Sequence, residues 1–192
     1  EMTIGSDLDL MTVYEAEDPA AASAMKGWAS ETFYGRFTQR LIAALSAPTA
    51  EGELYEIDMQ LRPSGAKGPV AVSLAAFGRW YAEEADTWEF QALTRARVVW
   101  ASSPEVERRV GAAIEAALRR PRDRDATAHD VKFMRELMER ERPPHGFWDL
   151  KLSPGGLVDA EFAAQFLQIA HAPEGGALRP GTLDALAAAR EA

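Results

Sequence analysis

The stretch Glu53-Leu54-Tyr55-Glu56-Ile57-Asp58-Met59-Gln60-Leu61-Arg62 alternates polar and apolar residues without a break. A period of two marks a strand with one buried face. Tyr55, Ile57, Met59 and Leu61 are therefore expected inward, and Glu56, Asp58, Gln60 and Arg62 outward. A first strand is expected in Gly5-Ser6-Asp7-Leu8-Asp9-Leu10-Met11-Thr12-Val13-Tyr14, where alternation puts Asp7 and Asp9 on one face and Leu8 and Leu10 on the other. Two carboxylates on one face repel unless a cation or a proton neutralises them. With the two strands side by side and their apolar faces aligned, Asp58 joins Asp7 and Asp9. The result is a three-carboxylate cluster suited to two Mg²⁺ ions about 3.5–4 Å apart. An isolated Asp-x-Asp is commonplace, and it is the paired strands that give it meaning.

Composition narrows the chemistry further. The 192 residues are 47% hydrophobic, enough for a buried core. Cysteine is absent, which excludes disulfides and thiolate metal sites, and no apolar run approaches the roughly 20 residues of a membrane span. A cytoplasmic setting without membrane contact is expected. The net charge of −9 argues against a broad nucleic-acid surface, so an anionic substrate must be met by metal and a few local Arg or Lys. The chain opens on Glu1 within what should be a folded element, and its tail after His171 stops in mid-domain, so it reads as a fragment.

Along the chain, Phe33, Phe37, Leu41, Ile42 and Leu45 recur at helical spacing, predicting a helix from Glu31 to about Pro48 whose aromatics pack on the sheet. The loop Pro63-Ser64-Gly65-Ala66-Lys67-Gly68-Pro69 ends the strand that carries Asp58. Arg62 and Lys67 are either contacts for nucleotide charge or solvated cations of a surface turn. Ser73 reads as the N-cap of a helix with Leu74, Phe77, Trp80 and Tyr81 inward, and a second helix follows over Thr87–Arg97. Arg95 and Arg97 are phosphate contacts or ion-pair partners. Ser103-Pro104 is the best domain boundary, giving units 1–103 and 104–192. Beyond it Val106, Val110, Ile114 and Leu118, then Val131, Met134, Leu137 and Met138, form two helical stripes. A third helix opens at Leu157 after Gly155-Gly156, and a weak one at Thr182. The glycines before Leu157 either cradle an anion or serve the turn alone, and Asp159 and Glu161 suit a helix start for structural reasons. His129, His145 and His171 lack ligand spacing.

The blocks GSDLDL, LYEIDMQLRPSG, WEFQALTRARVV and LKLSPGGLVDAEF resemble, in that order, the glutamine synthetase adenylyltransferase/adenylyl-removing enzymes, a branch of the DNA polymerase beta-like nucleotidyltransferases. The match spans roughly residues 1–171 and looks closer to the adenylylating half than to the adenylyl-removing half. The resemblance implies an α+β nucleotidyltransferase core with a mixed or antiparallel sheet, followed by an all-α bundle. It also implies that Asp7, Asp9 and Asp58 hold two Mg²⁺, with Mn²⁺ as a substitute, and that ATP is the substrate. Ser6, Arg62, Lys67, Arg95 and Arg97 are placed at the nucleotide, and Lys151, Asp159 and Glu161 behind the acids. The implied reaction moves AMP to a tyrosine of glutamine synthetase. The phosphorolytic removing half and a non-catalytic binding module stand as alternatives. Nitrogen-signalling PII proteins are implied partners through the full-length enzyme. The superfamily's phosphate-holding Gly-Gly or Gly-Ser pair lies about ten residues before the first metal aspartate. Glu1 stands only six before Asp7, so Gly5-Ser6 is too close to be that pair.

Overall fold

The computed structural model describes residues 7–16, 18, 22–24, 26–50, 52, 55–146 and 148–191, and it divides into two compact units, 1–84 and 85–192. The first unit holds β1 (Leu8–Asp9), β2 (Thr12–Tyr14), α1 (Ser30–Leu45), β3 (Ile57–Asp58), β4 (Ala71–Ser73) and α2 (Leu74–Glu83). β1 pairs with β3 and β2 with β4, so each pair forms a two-stranded sheet. Both pairings are parallel, where a mixed or antiparallel sheet was expected. A parallel pair needs a long crossover, and α1 occupies the connection between the two partners of each pair.

The strand expected over residues 53–62 is shorter than its alternation. Glu53 and Leu54 lie outside the described residues, and the ladder ends at Asp58, whose carboxylate accepts the amide of Gln60 at 2.7 Å. That side-chain turn competes with the ladder and bends the chain away.

α1 forms where the stripe predicts but packs through a different arc. Phe33, Phe37, Leu41 and Leu45 are exposed, Phe37 by 46%, while Thr38 is buried at 1% beside half-buried Tyr34 and Ile42. Residues 34, 38 and 42 lie four apart on one face. This helix touches β4, and a Cβ on Gly35 would meet the Val70 side chain at 4.0 Å. Tyr34 stacks on Tyr14 with ring centroids 4.4 Å apart. Burial, then Glu31, then Tyr34 push the Tyr14 phenol above its ordinary value. α2 behaves as expected: the Ser73 hydroxyl accepts the amide of Ala76 at 3.2 Å, and Phe77 and Tyr81 are buried.

The second unit is helical, with α3 (Thr87–Leu93), α4 (Pro104–Leu118), α5 (Arg124–Glu141), α6 (Leu157–His171) and α7 (Thr182–Glu191), and no strand among the described residues. The compact units divide after Glu84, and Ser103, the boundary expected from the sequence, lies within the second of them. Phe90, Gln91 and Leu93 of α3 are buried in a helix that packs on α4, α5 and α6, which ties it to the unit that follows. Ser103-Pro104 is a helix start instead, its hydroxyl accepting the Val106 amide at 3.3 Å. Asp123 caps α5 by accepting from Ala126 at 2.8 Å. Arg122 lies 3.6 Å over the Phe90 ring and donates to the carbonyls of Ala117 and Leu118. Burial and then Arg120 pull its guanidinium down to about 10, leaving it charged at neutral pH. None of the helices is long and apolar enough to cross a membrane among the described residues.

α6 is the spine of this unit, packing against α3, α5 and α7, with Ile169 fully buried. Polar ties fix its register. Arg135 of α5 binds Asp159 and also donates to the Leu152 carbonyl at 3.2 Å. Gln91 donates to Gln165 at 3.2 Å, and the Gln168 side chain accepts the Arg179 amide at 2.6 Å.

Two stability outcomes follow from these contacts. The buried Thr38 hydroxyl has no hydrogen-bond partner, so Thr38→Val should stabilise the chain by up to about 1 kcal/mol in urea unfolding, whereas Phe37→Ala should shift it by less than about 1 kcal/mol. Partial burial pushes the Asp159 carboxyl up, but the Gly155 amide and then Arg135 outweigh it and hold the group below its ordinary 3.8. A depressed carboxylate stabilises the fold above its unfolded value and loses that contribution as pH falls through its folded value. Asp159→Asn should therefore destabilise the chain by about 1–2 kcal/mol at pH 7. In unfolding curves at successively lower pH, the gap between variant and parent should close below the ordinary 3.8.

Candidate functional site

The pairing of β1 with β3 brings Leu8 against Ile57 and Asp9 against Asp58. The Leu8 amide donates to the Glu56 carbonyl at 2.7 Å and the Leu10 amide to the Asp58 carbonyl at 2.8 Å, which locks the register. Partners across a parallel ladder share a face, so the two carboxylates stand side by side, opposite the apolar pair. Asp7 is exposed and immediately precedes β1. Among the described residues no group of three or more His, Cys, Asp or Glu is spaced to hold a metal ion. The three-acid convergence expected from the sequence is thus a registered pair with a neighbour. Such a pair still fits Mg²⁺ in kind and number, because that ion takes one or two carboxylates and completes its shell with water and substrate phosphate.

Arg62 departs from its expected orientation. Alternation put it outward with the acids, yet it is buried at 8% exposure. Its Nε donates to the Pro69 carbonyl at 3.0 Å, Nη2 to Gly68 at 3.3 Å and Nη1 to Met59. The guanidinium is turned toward the chain's own backbone, which takes one N–H from each of its three nitrogens. Lys67 is exposed in a short 3₁₀ turn, Gly65–Lys67. Ser6 lies outside the described residues.

The remaining expected residues all belong to the helical unit. Arg95 pairs with Glu161 at 3.4 Å, joining the end of α3 to α6. Arg97 is exposed on the wall of an open groove of about 450 Å³ that Ile114, Arg119 and Arg179 also line. Arg119 is committed there to Glu115 at 2.7 Å and to the Ala172 carbonyl at 2.9 Å. Asp159 is held by Arg135 and by the Gly155 amide. Lys151 is exposed, and its backbone carbonyl accepts the Val158 amide at 3.1 Å while that of Leu150 accepts Leu157 at 2.9 Å. The first amides of α6 are therefore capped internally, which answers the anion-cradle alternative for Gly155-Gly156. Gly156 serves close approach: a Cβ there would lie 2.6 Å from the Leu150 carbonyl oxygen. Ahead of it, amides of His145 and then Leu152 hold the Asp149 carboxyl below its usual range and shape the turn.

The sequence reading missed Arg135 and Gly68. Arg135 is one charge among many on α5, and its partner lies 24 residues away. At Gly68 the close approach is to the loop's own backbone, since a Cβ there would lie 2.3 Å from the Pro63 carbonyl oxygen.

Residues 1–113 match the family model for glutamate-ammonia ligase adenylyltransferase, and residues 132–192 match that for GlnD PII-uridylyltransferase. A bifunctional glutamine synthetase adenylyltransferase/adenylyl-removing enzyme of Caulobacter vibrioides is 67% identical over 192 residues, covering 100% of this chain and 20% of that protein. Enzymes of the same name from Brucella suis and Agrobacterium fabrum are 52% and 50% identical, covering 88% and 98% of this chain and 17% and 19% of their own lengths. The chain spans about a fifth of the length of the curated relatives it matches. With more than half its residues matched by one family model and its acid pair in the matched part, the chain belongs to the glutamate-ammonia ligase adenylyltransferase family.

Proposed function

We propose that this chain supplies the acid pair of an adenylyl-transfer site, which in a protein of its relatives' length moves AMP from ATP to a tyrosine of glutamine synthetase. The registered carboxylates of Asp9 and Asp58, within the part matched by the adenylyltransferase family, carry this reading. Asp9 and Asp58, joined by Asp7, would hold Mg²⁺ or Mn²⁺, which when bound neutralises charge on the leaving pyrophosphate and lowers the pKa of the attacking hydroxyl. The chain's own part is to present the two oxygen-donor groups from a locked ladder, so that little reorganisation is needed when substrate arrives. Lys67, exposed on the loop after β3, is placed to meet phosphate charge. Arg95, Lys151, Asp159 and Glu161 act as scaffold, through the ties already described. Arg97 is an exposed cation of the helical unit, on the wall of the open groove, where an anionic group could reach it.

The relatives' name joins transfer to removal of the adenylyl group, and the same acids serve a displacement in either direction. Transfer is favoured because the blocks LYEIDMQLRPSG and GGLVDAEF look closer to the adenylylating half. A cytoplasmic setting, with PII proteins acting through the full-length enzyme, goes with this reading.

The test is a chimera in which this chain replaces the corresponding segment of the Caulobacter vibrioides enzyme, assayed with labelled ATP and unmodified glutamine synthetase. Asp9→Asn and Asp58→Asn should each lower transfer by about 10³-fold, with unfolding free energy changed by less than about 0.5 kcal/mol. Undiminished transfer in both variants refutes the reading. ADP release from modified glutamine synthetase and phosphate, without transfer, assigns the chain to the removing half. Calorimetry showing nucleotide binding without turnover of either kind makes it a binding module.

A further inference from the structure

Arg62 sits at the centre of a loop whose backbone is over-determined. The loop leaves β3 at Asp58 and enters β4 at Ala71. One guanidinium gathers a carbonyl from the departing arm, Met59, and two from the returning arm, Gly68 and Pro69. The planar fork of arginine suits several fixed acceptors at once, and a lysine ammonium on its flexible stem does not reproduce that geometry. Around this centre the Gly65 amide donates to the Arg62 carbonyl at 2.8 Å, and the Gly68 amide to that of Gly65 at 3.1 Å. Ser64 takes φ of 61°, a left-handed conformation uncommon outside glycine. Gly68 is packed against the Pro63 carbonyl so closely that no side chain fits without movement.

Asp58 stands at the mouth of this loop. Its carboxylate is oriented by the Gln60 amide, inside the same turn, and the next residue, Met59, provides the carbonyl that Arg62 holds. We propose that Arg62 is a positioning residue. By closing the 59–69 loop it fixes the turn that aims the Asp58 carboxylate beside Asp9. The link to catalysis rests on the acid-pair reading above; the claim about loop closure does not. A direct phosphate ligand would present free N–H groups to solvent, and this guanidinium instead directs all three nitrogens into the loop.

Two variants test the proposal by different routes. Arg62→Lys keeps the charge and removes the fork, while Gly68→Ala keeps Arg62 and forces the loop open from the other side. In the chimera each should lower kcat for transfer by roughly 10–100-fold with KM for ATP within about twofold, the expected response to a misplaced catalytic group. In the 192-residue chain, limited trypsin digestion followed by mass spectrometry should show the bond after Lys67 cut about tenfold faster in both variants, because the loop opens more often. The bond before Pro63 resists trypsin in parent and variant alike, so the Lys67 signal is read without interference. A raised KM for ATP in Arg62→Lys with cleavage unchanged makes Arg62 a phosphate ligand and overturns the proposal. Parental kcat and cleavage in Gly68→Ala overturn it equally. If Arg62→Lys fails to fold by circular dichroism, Gly68→Ala decides alone. Should Asp9→Asn retain full transfer, the acid-pair reading fails while the cleavage result still judges the loop.

Discussion

The register of one short parallel ladder governs the first unit. Leu8 against Ile57 makes an apolar pair, and alternation then leaves Asp9 against Asp58 no choice but to share the opposite face. A slip of one residue would exchange the faces, placing acids where Leu8 and Ile57 pack. Apolar packing is thus what sets two like charges together, and the electrostatic disadvantage is local to a place where a cation is the natural remedy. Arg62, close in sequence, does not offer that remedy, because its guanidinium is enclosed by backbone carbonyls.

In the second unit the organising constraint is a helix with neighbours on several sides. α6 packs against three other helices, so its apolar residues do not form a single stripe, as expected for a helix surrounded by partners. Apolar burial of that kind leaves rotation and translation poorly specified. The polar groups supply what packing lacks: Asp159 to Arg135, Glu161 to Arg95, Gln165 to Gln91, and Gln168 to the Arg179 amide. Together they join α6 to α5, to α3 and its end, and to the segment before α7, so a shift of one turn would unpair all four. Half-exposed pairs such as Arg95 and Glu161 add little stability singly. Their joint effect is on specificity of register.

The sequence was most readable where structure is local. Ser73 caps the helix its position announces, and the pairing of Asp9 with Asp58 follows from two alternating stretches. It was least readable where partners are distant. The stripe of α1 marks a helix, yet periodicity does not say which arc is buried, and the arc through Thr38 is the one that is. Arg62 was expected on the outward face because the alternation ran through it; the Asp58–Gln60 turn ended the strand first. Arg95 finds Glu161 66 residues on, and no local pattern encodes that meeting. Ser103-Pro104 carries a helix start, and the capping chemistry that marks such a start is the same whether or not a break between units lies there.

The loop after Asp58 shows why a buried arginine belongs there. Left-handed Ser64 is unfavourable by roughly 1 kcal/mol, and the contact at Gly68 tolerates no side chain, so the loop's closed form has little to recommend it locally. Its tip is exposed at Ser64, Ala66 and Lys67, so apolar burial there does not hold it shut. Ordering such a segment opposes the chain entropy of its residues, which is of order 1 kcal/mol each. The buried guanidinium, bonded to both arms, is the interaction able to offset these terms. A charge enclosed among neutral carbonyls is itself costly unless every N–H is well placed, which makes the arrangement stringent rather than forgiving. Stringency of that kind is of use beside a carboxylate whose direction matters, and a looser turn would have served a mere connection between β3 and β4.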